Sequence, residues 1–381
     1  MGEILFLAHR LPYPPDRGDR IRSWHLLKAL AKIAPVHVAA LIDNDADRRH
    51  VATVASVAAS VLVERRNPAK LRAMAAALLR GTPASVEAFR NARLKVQVDA
   101  LLKSRPIGCI YAFSGQMAAY VPTDFSGRFI MDFVDMDSAK FDQLGGFANR
   151  QEARRLLRWE IETAGRASAS IFVSAAEAQL FESTTRLQAK VIGNGIDLDH
   201  FDPKRVEPVS KAGPLIVFTG QMDYAPNISA VVDFARTQLP AIVAAIPEAR
   251  FAIVGRAPVA AVLNLAGPNV IVTGEVSDTR PWLAAADVVV APLDVARGVQ
   301  NKILEAMAMA RPVVASPAAA LGIDAVHGRD VIVAERPAAA VIELLQNSAR
   351  AGAIGVAARD RMNERYRWDA QLAPLAAIIA G

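Results

Sequence analysis

The sequence predicts an α/β protein built from two parallel-sheet domains, and three observations carry that expectation. Short Val- and Ile-rich runs alternate with longer helix-like segments, the alternation runs through two successive series, and an aperiodic stretch rich in Pro, Lys and Arg separates them. At 381 residues the chain is long enough for two cores. Hydrophobic residues make up 52% and aromatic residues 6%, an Ala/Val/Leu-rich balance suited to helices packed on parallel strands.

In the first series, residues 4–8, 36–42, 107–111, 129–133 and 170–173 read as strands that precede helical patterns. In the second, residues 215–219, 251–254, 270–273, 288–291, 313–315 and 331–333 do the same. Residues 202–213 hold Pro203, Pro208, Lys204, Arg205 and Lys211 without periodicity and are expected to be a linker. The expected division is therefore 1–201, the linker 202–213, and 214–366, with 367–381 as a terminal helix.

Composition narrows the partners. The formal net charge of +6 favours an anionic partner: a nucleoside diphosphate, an acidic lipid surface or nucleic acid. Aromatic residues are not interleaved with the Lys and Arg clusters, so nucleic acid ranks last. Cys109 lies in an apolar run, allows no disulfide within the chain and reads as a buried thiol in a reducing compartment. The chain opens on a strand pattern without a basic region, long apolar core and cleavage site, and no run of about 18 uncharged apolar residues follows. These features predict a protein of the cytoplasmic side. Residues 68–80 place Leu71, Met74, Ala75, Leu78 and Leu79 on one helical face, flanked by Arg65, Arg66, Lys70, Arg72 and Arg80. That pattern suits either a core-facing helix or a segment lying on an anionic membrane.

The stretch 291–316 has the layout of a nucleotide site: strand end, glycine loop, short helix, strand. Gly298 and Val299 allow the backbone to approach a phosphate, and the helix that follows offers its free N–H groups. Asn301, Lys302 and Glu305 fall in its first two turns, and Glu305 stands alone among apolar neighbours, where a ribose diol would partner it. The alternative is an exposed Glu305 paired with Lys302. A second glycine loop, Gly220 and Gln221, follows the strand at 215–219, and Arg256 follows the strand at 251–254. Glu275 and Val276 lie on a further loop. The first βα connection is stiffened by Pro12, Pro14 and Pro15 and continues through Arg17, Gly18, Asp19 and Arg20. Asp19 reads as the N-cap of the next helix, and Arg17, Arg20 and Arg22 as a basic cluster pointed at a ligand. The strand at 129–133 carries Asp132 near its end, and Asp135 and Asp137 follow it.

The pattern Gly-x-x-x-Lys-x-x-Glu-Ala-Met-Ala-x-x-x-Pro-Val-Val over 298–314 resembles the donor-nucleotide loop of the family 4 glycosyltransferases of GT-B fold. Residues 4–24, 131–140, 193–201 and 218–227 resemble one subgroup, the sugar transferases of exopolysaccharide loci associated with the PEP-CTERM and exosortase system. The resemblance implies two Rossmann-like domains facing a cleft, with the terminal helix crossing back to the first. It implies transfer, with retention, of a sugar from a nucleoside diphosphate sugar to a glycan or polyprenyl-diphosphate-linked acceptor, without metal or cofactor, in the cytoplasm or at the inner-membrane surface. Gly18, Gly220, Gln221, Arg256, Glu275, Val276, Arg297, Gly298, Val299, Asn301, Lys302 and Glu305 would then serve the donor. Arg17, Asp19, Arg20 and Asp132 would face the acceptor, and Asp135, Lys302 and Glu305 would be closest to the chemistry. Asp135-Met136-Asp137 imitates the metal motif of the other major glycosyltransferase fold, but the two βα series fit GT-B, where cations replace the metal. The sequence departs from the family at four places: no His near residues 131–140, Gln221 where an Arg is expected, no Lys after it in that loop, and Arg297 in place of the first Glu. Those departures leave room for a non-catalytic nucleotide-sugar binder, and the fold for an epimerase. A dehydrogenase is disfavoured, because Gly193-Asn194-Gly195 lacks the third glycine of a dinucleotide loop.

Overall fold

The computed structural model describes residues 2–66, 70–296 and 298–381. The chain separates into two compact units, one formed by Met1–Gly193 with Leu372–Gly381, the other by Asn194–Gln371. The first holds β1 (Glu3–Ala8), β2 (Val36–Ile42), β3 (Ser60–Arg65), β4 (Ile107–Phe113), β5 (Arg128–Val134), β6 (Ala169–Phe172) and β7 (Lys190–Val191), all parallel, in the order β3-β2-β1-β4-β5-β6-β7. The second holds β8 (Leu215–Thr219), β9 (Arg250–Val254), β10 (Val270–Gly274), β11 (Val288–Ala291), β12 (Val313–Ala315) and β13 (Ile332–Val333), again parallel, in the order β10-β9-β8-β11-β12-β13.

Helices cover both faces of such sheets, so their strands are apolar throughout rather than alternating. Every residue of β2, β8 and β11 is buried, with His37 of β2 and Thr219 of β8 the polar members of otherwise apolar runs. Each sheet reverses its winding once, between β1 and β4 and between β8 and β11. Loops leaving the carboxyl ends of strands diverge at such a point and open a crevice, which is where ligands bind in this class of sheet.

Several expectations need correction. Strands β3 and β7 were not anticipated. Glu64 and Arg65 belong to β3 rather than to an amphipathic helix, because the register with Leu41 and Ile42 of β2 extends the sheet through them. The helix Lys70–Arg80 follows, and Pro68 lies outside the described residues. Residues 202–213 are not a free linker. Val206 and Val209 pack on the second core, Val209 N donates to Pro281 O, and Lys211 binds Asp287 at 2.6 Å, so the change of unit falls earlier, at Gly193 and Asn194. The terminal segment is two short helices, Trp368–Leu372 and Leu375–Ala380; the second lies in the first unit, where Ile378 O accepts from Arg128 at 2.9 Å. Among the described residues one helix, Ala225–Ala245, is long and apolar enough to cross a membrane, with 21 residues and mean hydropathy 1.3. It carries Asp233 and Arg236, and it sets Ala230, Val231, Phe234, Leu239 and Ile242 into the second core. Cys109 is buried, and burial pushes its thiol up to about 12, which suits packing and not nucleophilic chemistry.

Candidate functional site

In the second unit the loops after β8 and β11 flank the reversal point. After β8, Gly220 has almost no room for a side chain: a Cβ would stand 2.8 Å from Asn227 Nδ2 and 3.2 Å from Lys302 Nζ. Gly255, after β9, has φ +152°, and a Cβ there would come within 1.7 Å of Gly220 O. The two glycines let the ends of β8 and β9 approach closely, and Gly220 N donates to Val254 O at 3.0 Å.

The helix Asn301–Ala308 starts from this place. Its apolar face, Ile303, Leu304, Ala306, Met307 and Ala308, is buried, which fixes the turn that carries Asn301, Lys302 and Glu305. Its N-cap, Gln300, makes no side-chain capping bond, and no acidic residue lies in the first turn, so the positive end of the helix keeps its field. Asn301 Oδ1 accepts from Asn194 Nδ2 at 3.3 Å. Lys302 Nζ donates to Asn227 Oδ1 at 2.6 Å and sits 4.0 Å from the centroid of Phe218. Asn227 in turn donates to Gln221 O at 2.9 Å, which joins the two loops through one amide. Burial lowers Lys302 to about 7 against the pull of Glu305, and burial raises Glu305 to about 7 against the pull of Lys302. The exposed, Lys302-capped reading of Glu305 is thereby corrected: the residue is half-buried, and no ion pair within 4.0 Å joins it to Lys302 among the described residues.

Arg256 and Gln221 come together. Gln221 Oε1 accepts from Arg256 Nη2 at 3.4 Å, which brings a guanidinium from the end of β9 to the loop where the sequence lacks a cation. Gly298 has φ +63°, and its carbonyl lies 2.4 Å from where a Cβ of Gly322 would be, so two glycines again permit close backbone contact. Val299 packs on the second core. Glu275 is exposed beyond β10, and Val276 packs on the core beside it. Arg297 lies outside the described residues.

In the first unit the predicted ligand-facing cations are engaged by carboxylates. Arg22 is 1% exposed and binds Asp132, itself fully buried, at 2.9 Å; Tyr111 donates to the same oxygen at 2.8 Å, and Arg22 Nη1 donates to Gly193 O at 3.1 Å. Asp132 is therefore an internal anchor between β5 and the helix Gly18–Ala31, and it neither caps a helix nor reaches an acceptor. Arg20 binds Asp47 at 2.8 Å, and Arg17 meets both Asp19 and Asp43. Asp19 is not the N-cap of that helix, a place taken by Arg17 without a side-chain bond. It sits in the first turn after Gly18, where burial opposes but His9, Arg17 and Arg10 hold its carboxyl well below the usual range.

His9 is the residue the sequence reading missed. It follows β1 at the reversal point, its Nε2 is 3.1 Å from Asp19, its ring stacks on Phe113, and its buried Nδ1 has no partner among the described residues. The available signal was its place at a strand carboxyl end, ten residues before an Asp. Asp135 and Asp137 converge on Lys140, at 2.8 and 3.2 Å, and both carboxylates raise the ammonium although burial opposes them. Asp135, expected to orient an acceptor hydroxyl or act as a weak base, is one arm of an ion pair here, and Asp137 stands in the first turn of the helix Asp137–Leu144, whose N-cap is Met136. Backbone strain marks the same edge: Ser114, after β4, has φ +76°, and Val134, ending β5, has φ +72°, costly for a β-branched residue.

Residues 213–347 match the family model described as Glycosyl transferases group 1. No curated protein matches the chain. Among solved structures, the chain is similar to sucrose-phosphate synthase from Thermosynechococcus elongatus, at 18% identity and TM-score 0.72, over 100% of this chain and 98% of that one. It is similar to Anabaena HepE in complex with UDP and glucose, at 17% identity and TM-score 0.69, over 100% of each chain. A mutant of S. aureus TarM in complex with fondaparinux, α-GlcNAc-glycerol and UDP is similar at 12% identity and TM-score 0.70, also over 100% of each. The chain therefore has the GT-B fold of two Rossmann-like units, and its second unit is similar in sequence to the group 1 glycosyl transferases.

Proposed function

We propose that the protein is a glycosyltransferase that takes a sugar from a nucleoside diphosphate donor held by the second unit. The observation that carries this reading is the constellation of Lys302, Arg256 and the uncapped start of the helix Asn301–Ala308, gathered beside the close glycine contacts at the β8/β11 reversal. Cleaving a sugar from a diphosphate builds charge on the leaving oxygen, and two cations with oriented N–H groups offset it without a metal. Glu305, half-buried one turn into the helix, accepts from the ribose hydroxyls, and Val276 presents backbone to the base. The UDP in the similar HepE and TarM structures supports the donor class, and the glycan ligands of TarM support a glycan acceptor. We further read the transfer as retaining on the motif resemblance of residues 298–314, and the acceptor as lipid-linked and the pathway as exopolysaccharide assembly on the subgroup resemblance of residues 4–24, 131–140, 193–201 and 218–227.

One observation favours a second reading, a nucleotide-sugar binder without turnover: Lys140 occupies Asp135, the carboxylate otherwise placed for the acceptor. Mass spectrometry of nucleotide sugars retained by the purified protein, followed by turnover of the retained donor in excess chelator, separates the two. Product formation with chelator present supports the transferase. Loss of product that manganese restores defeats the metal-independent mechanism, and retention without any product leaves the binder.

A further inference from the structure

The helices Asp137–Leu144 and Phe147–Arg166 form a hairpin closed by Gly145 and Gly146, both at positive φ, +66° and +79°. A Cβ on either glycine would meet nothing within 4 Å, and Leu144 and Phe147 beside them are 70% and 81% exposed. From this tip the longer helix turns two faces. Ala153, Leu156, Glu160 and Thr163 are buried. Phe147, Arg150, Arg154, Arg158 and Ile161 follow at spacings of three or four residues on the opposite, exposed face. Arg150, Arg154 and Arg158 make no ion pair or hydrogen bond among the described residues. Around residues 64–80, by contrast, Arg65 meets Asp45, Arg66 meets Asp43, and Arg80 meets Glu87. The acids nearest to the stripe in sequence are held elsewhere: Glu152 accepts from the backbone of Ala84 and Ser85, and the buried Glu160 accepts from Ser138, which leaves Glu162 exposed at the edge of the face.

We propose that this hairpin docks on an anionic lipid bilayer, with Leu144 and Phe147 entering the headgroup boundary and Arg150, Arg154 and Arg158 lying over acidic headgroups. The charge of the stripe selects an anionic partner, and the apolar tip selects a bilayer over a soluble polyanion, to which Leu144 and Phe147 would contribute nothing. From Phe147 to Arg158 the helix rises about 16 Å, so tip and stripe reach one surface together. In the segment 68–80 and its flank, which the sequence nominates for this role, Arg65, Arg66 and Arg80 are each paired with a carboxylate.

The test is cosedimentation of the whole protein with phosphatidylglycerol-containing and with pure phosphatidylcholine vesicles, at low and high salt. Binding to the anionic vesicles alone, weakened by salt, is expected. The triple change Arg150→Gln, Arg154→Gln and Arg158→Gln should lower vesicle affinity on the order of 100-fold. Leu144→Ser with Phe147→Ser should lower it roughly tenfold or more, while Arg65→Ala with Arg66→Ala leaves it unchanged. Phe147→Trp supplies a second readout that needs no loss of function: its added emission should shift to the blue with anionic vesicles. Unchanged vesicle binding in the triple variant, retention on heparin without vesicle binding, or no spectral shift at position 147 overturns the proposal. Nucleoside diphosphate titration of the same variants reads the donor site separately, so the two readings fail independently.

Discussion

Lys302 Nζ reaches Asn227 Oδ1 at 2.6 Å, and through that one contact the helix after β11 is tied to the helix after β8 across the reversal of the second sheet. Asn227 holds the ammonium in place before any ligand arrives, and burial keeps its charge costly until an anion offsets it.

Lys302→Ala is expected to weaken nucleoside diphosphate binding by about 2 to 3 kcal/mol, the scale of a charge-assisted hydrogen bond. Glu305→Gln should cost less, about 1 to 2 kcal/mol, and should cost the same for every base. Calorimetric titration with UDP, GDP and ADP measures both, and unchanged affinity in Glu305→Gln would remove that residue from the ribose.

The same pair makes binding depend on pH. Lys302 is lowered from its ordinary range to about 7, so it is charged below that value and loses its proton above it. A bound diphosphate stabilises the charged form, so affinity should fall as pH rises through about 7 and binding should take up a proton there. Titrations in buffers of different ionisation enthalpy read that uptake directly. In Lys302→Met the uptake should give way to a proton release, since Glu305, also raised to about 7, must ionise to accept from the ribose.

Gly255→Ala is expected to destabilise the second unit by about 3 kcal/mol or more, since the φ of the native residue disfavours any side chain and its Cβ would overlap Gly220 O. Urea unfolding gives the size of the loss. Gly352→Ala, on an open helical face, should by contrast be neutral or stabilising.

Breaking the buried anchor of the first unit with Asp132→Asn should cost about 3 to 5 kcal/mol, because Arg22 is left charged and buried. The double change Arg22→Met with Asp132→Leu should recover much of that loss, which chemical denaturation of the three variants will show. A double variant as unstable as the single one would mean that the contacts of Arg22 with Gly193 and of Tyr111 with Asp132 dominate.

The sequence by itself determined the βα order, the apolar strands and the glycine loop at 298, because parallel strands must be apolar on both faces and close backbone contacts admit only glycine. It showed Lys302 and Glu305 together because they lie three residues apart on one helix, where spacing dictates proximity. The edge strand β7, two residues long, is too short to print a pattern, and Glu64 and Arg65 at the end of β3 masked that strand with charge. Only the tertiary structure decided which charges are free. Arg22 finds Asp132 110 positions away, Arg256 finds Gln221 35 positions away, and Arg150, Arg154 and Arg158 find nothing among the described residues. Composition counts all these cations alike, but pairing depends on which strands lie side by side. That order is set by the packing of the whole sheet and not by any local stretch of chain.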